Sequence, residues 1–105
     1  MKINMQQMTV ITCVTLLSLT SACATRSVDK HSRNLAASCA ACHGTNGHSV
    51  GGAPKLAGLD KTYFITQMQN MKSGTRATTV MNKHAKGYSE EEFAKLADFF
   101  SAQKP

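Results

Sequence analysis

The sequence predicts an all-α domain, on three observations. No stretch of the 105 residues alternates apolar and polar side chains as a half-buried strand does. Near the end, "YSEEEFAKLADFF" pairs Ser89 with Glu92 in the S-x-x-E spacing of a capping box, and Phe93, Leu96, Ala97 and Phe100 recur at i, i+3, i+4 and i+7. Before it, Asp60 precedes "KTYFITQMQNMK", in which Phe64, Met68 and Met71 keep helical spacing until Gly74 stops the run.

The first two dozen residues stand apart from that domain. Residues 1–7 carry one charged side chain, Lys2; "TVITCVTLLSL" follows as an uncharged, mostly apolar run, and "TSACA" closes it with small residues. A charged start, about 7–15 apolar residues and a small-residue exit make a secretory signal peptide. The run falls short of the roughly 20 residues that cross a bilayer as a helix. Two cuts fit the exit. Cleavage after Ala24, behind the A-x-A of residues 22–24, gives a soluble product and is the expected one. "LTSAC" also resembles a bacterial lipobox, with Thr20 where leucine is usual; there Cys23 is acylated and holds the chain to a membrane. The expected organisation is a signal over residues 1–24, or a lipoprotein signal ending before Cys23, and one domain over residues 25–105 of an exported, periplasmic protein.

Without Lys2, eleven of the twelve lysines and arginines remain against six acids, a net charge of +5. No basic run reaches five residues and no aromatic–basic interleaving marks a nucleic-acid face, so that class of partner is excluded. The charge suits solubility, or steering towards an acidic protein face. About 81 residues bury only a modest core, which a metal, cofactor or disulfide usually supplements.

Taken in order, Asp29 or Ser32 is placed to cap a first helix through Leu35 to Cys39. It runs into "SCAACHG", where Cys39, Cys42 and His43 form the C-x-x-C-H spacing of covalent c-type haem attachment. Thiols at i and i+3 share one face of a helical turn and meet the two vinyl groups of one porphyrin, while the next residue swings its imidazole to the iron. A structural zinc site wants a second Cys or His pair, and His31, His48 and His84 show no such spacing. A thioredoxin-like pair wants a βαβ context. A plain disulfide leaves His43 without a role. Export agrees with haem, whose attachment of this type takes place outside the cytoplasm.

Residues 44–58, with five glycines and Pro54, read as a loop wrapping the haem. For the opposite axial position the chain offers Met68, Met71, Met81 and the histidines. The stripe of Met68 and Met71 suits a core. Met81 lies in "TRATTVMNKHAKGY", which has weak periodicity and reads as a loop, and a Met/His pair raises a haem's potential as an electron carrier requires. Met81 is therefore the expected distal ligand, with His84 as its competitor.

"CAACHG", "APKLAGL", a methionine at 81 and "YSEEEFAKLADFF" together resemble the small class I cytochromes c, over nearly all of the mature chain. The resemblance implies the fold of that class, about three helices wrapped round one covalently bound haem c. It also implies that the carbonyl of Pro54, in the P-x-L-x-G frame, accepts from the proximal histidine, here His43, which orients the imidazole and strengthens it as a donor. Within the class, "GTR…TTVM…AKGYS" resembles the monohaem cytochrome subunit of flavocytochrome c sulfide dehydrogenase. That likeness implies a flavoprotein partner and a non-catalytic, electron-accepting role. The alternative is a freestanding, diffusible electron carrier, and a third reading, a haem sensor, needs Met81 off the iron. Lys55, Lys72, Lys83 and Lys86 are candidate charges round an exposed haem edge.

Overall fold

The last helix is the element on which the others lean. The computed structural model describes residues 28–105, and the expected signal segment with Cys13 and Cys23 lies outside them. In chain order the helices are α1 (Lys30–Ala37), α2 (Ala40–His43), α3 (Lys61–Ser73), α4 (Met81–Lys86) and α5 (Glu90–Ser101), with a 3-10 turn at Thr45–Gly47. Both α1 and α3 pack on α5, α4 packs on α3, and α2 sits against α1 and the 3-10 turn. No strand occurs among the described residues, in agreement with an all-α chain.

Helix α5 starts where the sequence says it must. Ser89 Oγ accepts from Glu92 N at 3.2 Å and Glu92 Oε2 accepts from Ser89 N at 2.8 Å, so two otherwise orphaned amides are satisfied reciprocally. Three glutamates fill its first turn, opposing the positive end of the helix dipole. Its buried face is Phe93, Leu96, Ala97, Phe99 and Phe100, and the largest fully buried side chains are Phe93, Phe100 and Leu96. Phe100 stacks tilted on Phe64 of α3 at 5.7 Å between centroids and edge-on to Phe99 at 5.1 Å, geometries that suit the ring quadrupoles.

Helix α3 opens on Asp60, whose carboxylate accepts from Tyr63 N at 2.8 Å, and ends on Gly74 in the left-handed region at φ 84°. Glycine is the residue that takes such a C-terminal cap without a Cβ penalty. Phe64, Met68 and Met71 face inward, and Met68 and Met71 are part of the core cluster.

Two expectations about helices change. The first helix formally ends at Ala37, yet Ser38 and Cys39 keep right-handed helical angles, and Cys39 N donates to Ala36 O at 3.1 Å. The i→i−3 bond tightens the chain into a link between α1 and α2. Asp29 stands at the N-cap but its side chain makes no cap bond, and Ser32 is buried inside the helix. The second change is α4. The stretch beginning at Met81 is a short helix, and its start is held from outside its own turn, by Thr78 Oγ accepting from Asn82 N at 2.9 Å. Ala85, fully buried, seats it in the core. A six-residue helix is too short to persist alone, so packing on α3 supplies what periodicity could not reveal.

The expected loop over residues 44–58 is cinched at its base. Gly47 O accepts from Leu56 N at 2.9 Å and Ala57 N at 3.2 Å, and Gly58 N donates to Phe100 O at 2.9 Å. Gly47 adopts φ 80°, and a Cβ there would fall 2.8 Å from Ala57 N and 2.9 Å from a Phe100 ring carbon. No other residue lets the turn lie so close to α5.

Candidate haem site

Three of the residues that the sequence singled out share one helical turn. Cys39 starts it, Cys42 lies three residues on, and His43 closes it. His43 N donates to Cys39 O at 2.9 Å, which fixes the imidazole's backbone relative to the first thiol. Neither cysteine is in a disulfide among the described residues; Cys39 is partly buried and Cys42 exposed. Burial pushes the Cys39 thiol above its ordinary value, with a hydrogen bond involving the Ser38 side chain pulling the other way.

His43 is 7% exposed, a buried titratable side chain. Its Nδ1 donates to Pro54 O at 2.6 Å, across eleven residues of loop. A carbonyl only accepts, so this contact puts the proton on Nδ1 and leaves the Nε2 lone pair available as a metal donor. Nε2 makes no hydrogen bond among the described residues. The bond explains the loop: its base is fixed on α5, and Pro54 is thereby delivered to the imidazole.

The donor set fits a haem attached through thioethers. Two sulfurs lie a helical turn apart beside one buried imidazole whose Nδ1 is engaged by Pro54 O. Among the described residues no three His, Cys, Asp or Glu side chains gather to hold a bare metal ion.

The remaining candidates separate. Met81, at the start of α4, is partly buried and packs against the core cluster. His84 is exposed on the same helix. Lys55, Lys83 and Lys86 are exposed and make no ion pair among the described residues. Lys72 is no free rim charge. Its Nζ donates to Tyr88 O at 2.5 Å, lies 3.7 Å from Glu90 and sits 5.2 Å over the Phe93 ring. The side chain is used up in joining α3 to the start of α5.

Sequence reasoning gave Tyr88 no role of its own, although it lies within the quoted "AKGYS". Its hydroxyl lies 2.7 Å from Ser38 Oγ, so the end of the segment bearing Met81 touches the residue just before Cys39. The pair is fifty residues apart in sequence and leaves no local pattern to find it by.

A cytochrome c family model matches residues 32–104, and the chain belongs to the cytochrome c family. It is a class I c-type cytochrome, with one covalently bound haem c and an electron-transfer role. It is 44% identical over 66 residues to the cytochrome subunit of sulfide dehydrogenase of Chlorobaculum tepidum, covering 63% of this chain and 60% of that one. Cytochrome c4 of Azotobacter vinelandii is 39% identical over 80 residues, 67% of this chain and 38% of its own length. A thiosulfate dehydrogenase electron acceptor of Thiomonas intermedia is 40% identical over 72 residues, 67% of this chain and 33% of its own. The chain thus spans between a third and three fifths of the lengths of these relatives. No described helix is long and apolar enough to cross a membrane.

Proposed function

We propose that the chain is a periplasmic one-electron carrier whose haem is held by Cys39 and Cys42 and ligated by His43 and Met81, serving as the electron-accepting subunit of a flavocytochrome c sulfide dehydrogenase. The observation that carries the haem reading is His43: buried, its Nδ1 proton given to Pro54 O, its Nε2 free. When bound, the haem supplies a centre that gains and loses one electron. Cys39 and Cys42 fix it in place. The Pro54 carbonyl orients His43 and makes it a stronger donor. The Met81 thioether, soft and weakly donating, would be the second protein ligand and would raise the potential. Held by two protein ligands, the haem would leave no open site for substrate on this chain, and the oxidation of sulfide would fall to the flavoprotein partner.

The likeness to a sulfide dehydrogenase cytochrome subunit supports the assignment of that partner. The likeness to a thiosulfate dehydrogenase electron acceptor, together with Lys55, Lys83 and Lys86, which make no ion pair among the described residues, supports the second reading, a diffusing carrier that meets acidic partner faces. Affinity capture of the tagged chain from its native cells separates them: a stoichiometric flavoprotein in high salt supports the subunit, and salt-sensitive electron transfer without a retained flavoprotein supports the carrier.

The ligand assignment has its own test. Met81→Ala, matured with its haem, should lose the near-infrared methionine-to-ferric charge-transfer band of the wild type. A wild-type spectrum without that band, or a variant that keeps it, overturns the assignment.

A further inference from the structure

Asn82 follows Met81 directly, and its side chain is the one anomaly in the polar accounting of the described residues. Its Oδ1 is buried and has no hydrogen-bond partner. Its backbone N–H is engaged with Thr78 Oγ, so the residue is held in place rather than loosely oriented. A buried polar atom left unpaired is costly, and an apolar side chain of the same shape avoids that cost. Partly buried, beside Met81, at the start of a helix too short to hold itself, an asparagine is a poor choice unless something outside the polypeptide completes it.

We infer that Asn82 is a positioning residue of the distal side: its side-chain amide takes its hydrogen-bond partner from the haem-loaded centre and thereby holds the turn that carries Met81. The terminal amide torsion of asparagine is broad and roughly two-fold, so either the carbonyl or the NH₂ group occupies the buried spot, and the loaded centre brings both a thioether and carboxylates. Thr78 fixes the backbone of the turn from one side, Ala85 seats it against the core from another, and the Asn82 amide supplies the third hold once the haem is in place. The inference rests on Met81 as the distal ligand.

The test uses the matured holoprotein and free imidazole as a competitor for the Met81 position, read by its spectral titration. Asn82→Ala and the near-isosteric Asn82→Leu should each bind imidazole about tenfold more tightly than the wild type, the factor set by one lost hydrogen bond. Asn82→Leu leaves no cavity, so it remains informative if the alanine variant matures poorly. Unchanged imidazole affinity in Asn82→Leu overturns the inference whatever happens to the unfolding temperature, and assigns the amide to a trapped water or to the polypeptide alone. Failure of the Met81 assignment itself looks different: the wild type then lacks the methionine charge-transfer band, and the inference falls with it.

Discussion

The molecule has two arms on a common helix, and they hold their functional residues in opposite ways. In the first arm, α1, the tightened link and α2 put Cys39, Cys42 and His43 on one turn through bonds three and four residues long. One further contact, to Pro54 O, completes the imidazole. In the second arm, Met81 owes its place to α4, and α4 owes its existence to Thr78, to the buried Ala85 and to α3 beneath it. The first arm is written in local spacing. The second is assembled by packing. The difference teaches that the two arms have different vulnerabilities: the first fails when its own residues change, and the second fails when its support does.

The largest expected effect tests the first arm. Replacing Cys39 and Cys42 together with alanine should abolish covalent haem, read as loss of the haem mass from the exported chain under denaturing mass spectrometry. Retention of that mass would break the comparison at its root.

The next tests the common helix. Phe93 is fully buried and lies beneath the Lys72 ammonium. Phe93→Ala should cost about 3–5 kcal/mol, the usual range for emptying a buried aromatic site, and denaturant unfolding followed at the haem and by helix content should show one shared, earlier transition. Two separate transitions would mean that the arms fold independently of α5.

The smallest effect is the sharpest. The Ser38–Tyr88 hydroxyl pair ties the link of the first arm to the end of the second. Because it is exposed, Tyr88→Phe should cost only about 0.5–1 kcal/mol in denaturant unfolding. Imidazole binding should be unchanged, since the Lys72 contact uses the backbone carbonyl of Tyr88 and survives the substitution. A tenfold change in that affinity would show that the distal side is governed from the proximal one.

What could be read in the chain follows the same division. The capping box of Ser89 and Glu92, the Asp60 cap, the Gly74 stop and the buried stripe of Phe93, Leu96, Ala97 and Phe100 are signals within a few residues of one another, and each appears in the structure where the spacing put it. The class of fold was legible for that reason. Helix α4 was not, because "TTVMNKHAKG" lacks an apolar period and is folded by neighbours distant in sequence. The role of Lys72 was hidden for the same cause: a lysine followed by Ser73 and Gly74 looks like surface, and only the approach of Tyr88, Glu90 and Phe93 makes it a brace. The expected signal segment and the fate of Cys23 fall outside the described residues.

The cinched loop carries a practical consequence. Its two ends are tied at Gly47 and Gly58, and Pro54 is spoken for by His43, but between them Val50 is fully solvent-exposed and neither Gly51 nor Gly52 has any atom near the position of an added Cβ. Lengthening a flexible segment costs little, on the order of 0.6 kcal/mol for each doubling. A linker, dye or electrode tether grafted at Gly51 therefore hangs from a rigid frame a few residues from the imidazole's anchor, a wiring point that neither arm has to give way to accept.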